Sequence, residues 1–369
     1  MRIAVWAAAL GAVAAMAGAS AADKPTVALE LPPSAENVRN SEGDIIPLRD
    51  GRLLFVYSHY LKGTGNDNDP AVLAARVSSD GGRTWSARDR VAVANEGGMN
   101  VMSVSLLRLR DGALALFYLR KNSTEDCRPV LRVSRDEGET WGAPRVCVPD
   151  SEVGYYVMNN SRALRLKSGR IVLPLSLHQT EKGKTDFHGQ LVCYVSDDEG
   201  LTWRRGCEPF KTFDARGRRI TTQEPGLVEL KDGGLLMFAR TDQGRQWRFL
   251  SADGGLTWGK GEPWTLVGPI SPATVKRLRN GDLVAVWNDH ETYPQYAAQG
   301  PKWAHGTRKP MTVAFSKDEG RTWIDRRVIE DLPTGWYCYF SVLEMDSYLL
   351  ISYCAEKGLQ HSRISIVPL

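Results

Sequence analysis

The residues of this chain able to do chemistry are carboxylates, guanidinium groups and a phenol, scattered widely along the sequence. Glu42, Asp44, Asp67 and Asp69 come first; Arg120, Asn160 and Arg162 follow; Glu224 precedes Arg240 by sixteen residues; Arg308 and Tyr339 come last. A carboxyl group of suitable acidity moves protons, and a pair of them can work on a glycosidic bond. Arginine's planar fork donates two parallel hydrogen bonds and suits a carboxylate ligand. A phenol becomes a nucleophile when a neighbouring base takes its proton. The six histidines and six cysteines show no zinc-ligand spacing, so neither a metal nor another cofactor is expected. His59 and His178 suit hydrogen bonds to hydroxyls better than a catalytic role.

These groups are useful only if the fold gathers them, and two interleaved repeats indicate how. Ser-x-Asp-x-Gly-x-Thr-Trp occurs five times, at Ser78–Trp85, Ser134–Trp141, Ser196–Trp203, Ser251–Trp258 and Ser316–Trp323, with starts 56, 62, 55 and 65 residues apart. Each copy lies between apolar or alternating segments and reads as a hairpin turn whose Ser and Asp oxygens satisfy backbone N–H groups. Between the copies stand Asp50-Gly51, Asp111-Gly112, Ser168-Gly169, Asp232-Gly233 and Asn280-Gly281, with a degenerate sixth at Asp346-Ser347; these carry the two-residue hairpin signature. A period near 60 with two turns per unit predicts an all-β, six-bladed propeller of four-stranded antiparallel blades. The missing motif belongs to the last blade, whose outer strand is expected from Thr26–Leu31. That closure removes the exposed sheet edge.

In such a topology both turn types share one face. Ligand groups belong on the opposite face, near the axis, and the repeated motifs are scaffold. The starts of the inner strands carry Glu42, Met102-Ser103, Asn160-Ser161-Arg162, Glu224-Pro225, Ser271-Pro272 and Tyr339; the ends of the second strands carry His59-Tyr60, Tyr118 to Arg120, His178, Arg240, Asn288 to His290 and Glu356.

The five motifs, the strand Gln223–Leu230, Arg240 sixteen residues after Glu224, and Tyr339 before the last hairpin resemble the bacterial sialidase (neuraminidase) superfamily, over nearly the whole mature chain. The resemblance implies Tyr339 as nucleophile, Glu224 as its base, Asp67 (with Asp69 close behind) as acid/base, and Arg240 and Arg308 as clamps on a substrate carboxylate. It implies a terminal sugar, sialic-acid-like, as the partner. The chain departs from the family at the first clamp, where Arg39-Asn40-Ser41-Glu42-Gly43-Asp44-Ile45-Ile46-Pro47 puts Ser41 or Glu42 at the place of an arginine. Arg39 through a shifted loop, or Arg120, Arg128 or Arg162 from neighbouring blades, could substitute; otherwise Glu42 marks a different sugar. Arg120, Arg162 and Asn160 are expected substrate contacts.

Composition sets the remaining bounds. With 47 basic and 43 acidic residues and no block of like charge, neither nucleic acid nor an anionic membrane is indicated. Met1-Arg2, an apolar run to Ala19 and the small residues to Ala22 read as a signal peptide over residues 1–22, followed by one domain over 23–369 in the periplasm or outside the cell. A retained anchor is the rival reading. In an oxidising compartment Cys127/Cys147, Cys193/Cys207 and Cys338/Cys354, which flank turns, could form cross-strand disulfides or stay buried thiols. Asn122-Ser123-Thr124 fits a glycosylation acceptor.

Overall fold

The computed structural model describes residues 24–179, 184–299 and 302–369; the expected signal peptide lies outside the described residues. Six antiparallel sheets follow one another, and in five of them the strands run in sequence order from axis to rim. Blade I runs through Arg39–Pro47, Leu53–Tyr60, Ala71–Ser78 and Arg90–Val93, and blade II through Asn100–Arg108, Leu114–Lys121, Cys127–Ser134 and Arg145–Val146. In blade III the inner strand is split into Tyr156–Val157 and Leu164–Arg165, both pairing with Ile171–Gln179. Blade IV opens with Thr222–Glu229 and Leu235–Thr241, blade V with Thr274–Arg277 and Leu283–Asn288, blade VI with Gly335–Glu344 and Tyr348–Glu356. Thr26–Leu31 pairs antiparallel with Ser362–Pro368 and is the outer strand of blade VI, so the N-terminal strand closes the ring as its sequence predicts.

Position in the blade decides the burial pattern. An inner strand is covered on both faces, and eight of the nine residues of Arg39–Pro47 are buried. The rim strand Glu262–Val267 keeps the period of two, with Trp264 and Leu266 buried between exposed neighbours. Each apolar core lies between two blades. Ile46, Val56 and Leu73 of blade I meet Val101, Leu116 and Val130 of blade II. Leu31 and Ile364 of blade VI meet Phe55 and Ala74 of blade I, which completes the circle.

All five Trp-bearing turns join third to fourth strands. In the first, Gly82 N donates to Ser78 Oγ (2.8 Å), while Asp80 accepts from Thr84 N (2.9 Å) and Thr84 Oγ1 (2.6 Å). The same bonds recur at Asp136, Asp198, Asp253 and Asp318. Those contacts hold each carboxyl down at about 2. The motifs are therefore self-satisfied turns on the face away from the loops that follow the second strands.

All six cysteines are thiols, five of them buried. Cys338 and Cys354 face each other across the last hairpin, and Cys193 lies beside Cys207. No helix among the described residues is long and apolar enough to cross a membrane.

Candidate active site

The inner strands share a local irregularity that aims their side chains. The ladder register slips between Ser41 and Asp44, Met102 and Ser105, Gln223 and Gly226, and Cys338 and Ser341. At four of these bulges, and at the break in blade III, one non-glycine residue has a left-handed backbone: Glu42 (φ 53°), Ser103 (61°), Ser161 (57°), Glu224 (48°) and Tyr339 (59°). Such a conformation costs free energy for a residue with a Cβ, and a bulge re-aims the side chain that carries it. Other blades, across the axis as well as adjacent, hold these bulges in place. Asn160 Nδ2 donates to Tyr339 O (3.0 Å) and Gly43 O (2.7 Å), Thr274 Oγ1 to Phe340 O (2.6 Å), and Asn288 Nδ2 to Tyr337 O (3.1 Å). Asn160, expected as a substrate contact, thus spends its amide hydrogens on the strands that present Tyr339 and Glu42.

Tyr339 is 8% and Glu224 9% exposed. Burial first, then the charges of Glu224 and Glu42, push the phenol well above its ordinary pKa, while Arg308 opposes them. These three charged groups therefore surround the phenol. Glu224 Oε2 accepts from Arg240 Nη1 at 3.0 Å, and its other oxygen accepts nothing among the described residues. Arg240 Nε and Nη2 are held by Gln223 Oε1 (3.2 and 2.5 Å). Arg308 lies over the Trp336 ring at 5.5 Å, and its Nη2 reaches Ile270 O only at 3.4 Å. Its guanidinium is the less committed of the two.

Of the four proposed substitutes for the first clamp, Arg39 is the one that contacts Glu42 and Asp67. Its guanidinium is buried, stacks on Tyr60 at 4.5 Å, and donates to Asp67 Oδ1 (2.6 Å), Ser41 Oγ (3.0 Å) and Glu42 Oε2 (3.4 Å). Glu42 also accepts from Ser103 Oγ (3.1 Å) and Ser41 Oγ (3.1 Å). Burial raises the Glu42 carboxyl to about 7; Arg39 lowers it, and Asp67 and Glu224 add to the rise. Arg128 is engaged by Asp126 (2.7 Å) and Asp150 (2.8 Å) away from the cluster, and Arg120 acts electrostatically on that same Asp126. Arg162 is buried, with Nη2 on Ala273 O (2.7 Å) and Nη1 on Thr274 Oγ1 (3.2 Å), so it braces blade V.

The structure separates the two loop aspartates. Asp69 Oδ2 accepts from Thr64 N (2.6 Å), Gly65 N (2.7 Å) and Asn66 N (3.1 Å) and builds the turn. Asp67 keeps a side chain 59% exposed above Arg39. Burial would raise its carboxyl, but Arg39, Lys121 and Arg240 outweigh that and hold it below the ordinary value. Lys121 Nζ (2.7 Å) and Asn100 Nδ2 (2.9 Å) fix the Asp67 carbonyl from blade II. Sequence reasoning missed both, and neither motif nor spacing marks them. The register of the bulges was readable: Glu42, Ser103 and Glu224 each stand nine residues before the Gly of the following turn. His178 is buried beside Arg240, whereas His59 faces Asp89 within blade I. No cluster of three or more metal-ligating side chains occurs among the described residues.

Residues 51–351 match the family model of the BNR repeat-like domain. The fold is similar to that of a protein of unknown function from Dyadobacter fermentans (TM-score 0.70, 18% identity, covering 94% of this chain and 99% of that one). It is also similar to the Hadza microbial sialidase Hz136 (TM-score 0.71, 17% identity, 90% and 66%) and to Trypanosoma rangeli sialidase in complex with 2,3-difluorosialic acid (TM-score 0.65, 18% identity, 89% and 54%). This chain thus spans about two thirds and about half of the lengths of those two sialidases. By its repeats, its six closed blades and that match, the chain belongs to the BNR repeat-like domain family, with a sialidase-like propeller fold.

Proposed function

We propose that the protein is an exported, retaining exo-glycosidase that removes a terminal acidic sugar through a tyrosine nucleophile. The observation that carries this reading is the phenol of Tyr339, buried at a left-handed bulge with Glu224, Glu42 and Arg308 around it. A sugar that bears a carboxylate on its anomeric carbon repels a carboxylate nucleophile, and a neutral phenol avoids that repulsion. Arg308 and Arg240 hold the substrate carboxylate, and Arg39 stands at the third side. Glu224, through the oxygen that Arg240 leaves open, takes the phenol proton as the phenolic oxygen attacks. Asp67 protonates the departing oxygen and then activates the water that releases the sugar. At rest Arg39 keeps Asp67 ionised; a substrate anion that shares Arg39 weakens that pairing and raises the Asp67 pKa, so that Asp67 takes up from solvent the proton it delivers.

Glu42 favours a second reading, the same hydrolysis on a sugar other than sialic acid, because its carboxyl stands where a third arginine would meet the substrate anion. A panel of fluorogenic glycosides that includes a sialoside separates the two. Release from the sialoside, lost in Tyr339→Phe by about three orders of magnitude or more, supports the first reading. Release only from other sugars supports the second. No release from any substrate, or full activity in Tyr339→Phe, overturns both.

A further inference from the structure

The outer side of blade IV carries a groove of about 770 Å³ between the turn at Asp214–Arg218 and the strand Arg245–Ser251. A hollow of about 150 Å³ continues it past Phe213 and Lys260. The larger space is in the range of small-ligand sites. Its floor is aromatic: Phe213 is 46% exposed and Trp247 is buried, over an edge-to-face Phe210–Phe249 pair at 5.6 Å. The Trp247 indole N–H has no acceptor among the described residues.

The charges around this floor are unbalanced. Lys211, Arg216, Arg245 and Lys260 line the two hollows, and none forms an ion pair among the described residues. Both nearby carboxylates are already taken, Asp214 by Arg218 at 2.8 Å and Glu262 by Arg248 at 2.6 Å. Four cations without an ion pair therefore lie around this partly aromatic groove. Gly261 lets the Lys260 segment lie directly on the floor, since a Cβ there would come within 2.2 Å of the Phe249 ring.

We propose that this groove is a second binding site, separate from the axial cluster, for a carboxylate-bearing oligosaccharide. The exposed Phe213 ring takes the apolar face of a sugar ring, and the unpaired cations take carboxylates. A single-stranded nucleic acid needs a basic track that follows its backbone, and these cations are grouped at two adjoining hollows. Gln243, which lines the groove, lies in the hairpin that follows Arg240. Neither the groove nor its test depends on turnover.

Calorimetry on the Tyr339→Phe protein tests this with an oligogalacturonate hexasaccharide, its methyl ester and an oligothymidylate as probes. The acid binds and the ester does not. The double variant Arg245→Ala/Lys260→Ala weakens binding about tenfold, the scale of one lost charge-assisted hydrogen bond. Phe213→Ala, at the exposed ring, weakens it roughly threefold, as loss of one stacking face would. Wild-type protein that carries only the groove substitutions keeps its melting temperature and its kcat on a small fluorogenic glycoside. Unchanged binding in the double variant, equal binding of the ester, tighter binding of the oligothymidylate, or no binding of any probe overturns the proposal. Absence of turnover in wild type would sink the catalytic reading and leave these binding results standing.

Discussion

The two ends of this propeller use one backbone device for different purposes. On the face of the Trp-bearing turns, Glu137, Glu199 and Glu319 are left-handed, with φ of 58°, 59° and 62°. Glu137 and Glu319 are each tied twice, whereas Glu199 accepts from the Arg110 N–H (2.8 Å) and has Arg165 Nε 3.5 Å from its other oxygen. Glu137 accepts from Arg108 of its own blade (2.7 Å) and from the Arg49 N–H of the blade before it (2.9 Å); Glu319 does the same with Arg277 (2.9 Å) and the Lys231 N–H (3.2 Å). Around the axis of the opposite face, Glu42, Glu224 and Tyr339 are left-handed too, but there they gather into one cluster in which buried acidic groups act on one another and one oxygen of Glu224 accepts no hydrogen bond among the described residues. There burial raises Glu42 to about 7, whereas the turn aspartates sit at about 2. Strain that is matched by satisfied partners builds scaffold. Strain that holds unmatched groups together leaves them free to react.

Substitutions at the two ends should separate activity from stability. The largest effect is expected for Glu224→Gln, with kcat lower by about 10²–10⁴ and the fold retained. Loss of melting temperature in proportion to activity would place Glu224 with the scaffold carboxylates instead. Glu42→Gln comes next and is read as stability against pH. Its folded pKa, about 7, lies above the ordinary 4.5, so the bound proton stabilises the fold fully below about 4.5, and that contribution is lost as pH rises through 7. Wild type should therefore lose about 3 kcal/mol relative to the glutamine variant across that window, seen in paired urea titrations. A constant difference would show that Glu42 is not held protonated. The smallest effect is expected for Asp136→Ala, a fall in melting temperature of the order of 2 °C with kcat unchanged. Asp136 is depressed to about 2, so the deficit should be present above pH 3.8 and vanish as pH falls through 2.

Much of this was legible without coordinates. The spacing of Ser78–Trp85 and its four copies, with the Gly turns between them, depends on local chemistry: Asp80 reaches only to Thr84, and Ser78 only to Gly82. Such contacts are written within a few residues and repeat visibly. The choice between Asp67 and Asp69 was not legible, since both are loop aspartates until Thr64, Gly65 and Asn66 claim one of them. The fates of Arg39 and Asn160 were equally hidden. Arg39 reaches Asp67, 28 residues on, and Asn160 reaches Tyr339, 179 residues on.

By itself the sequence determined the number of blades, the closing strand, the face that carries the scaffold turns, and the residue types offered to the axis. It could do so because hairpin turns and strand periodicity are local. Only the tertiary structure decided which of the offered groups meet, because each meeting joins blades distant in sequence and depends on bulges held by other blades' asparagines and threonines. It also decided that Arg39, rather than Arg120, Arg128 or Arg162, stands beside Glu42 and Asp67, since proximity across a ring of sheets has no signature in the order of residues along the chain.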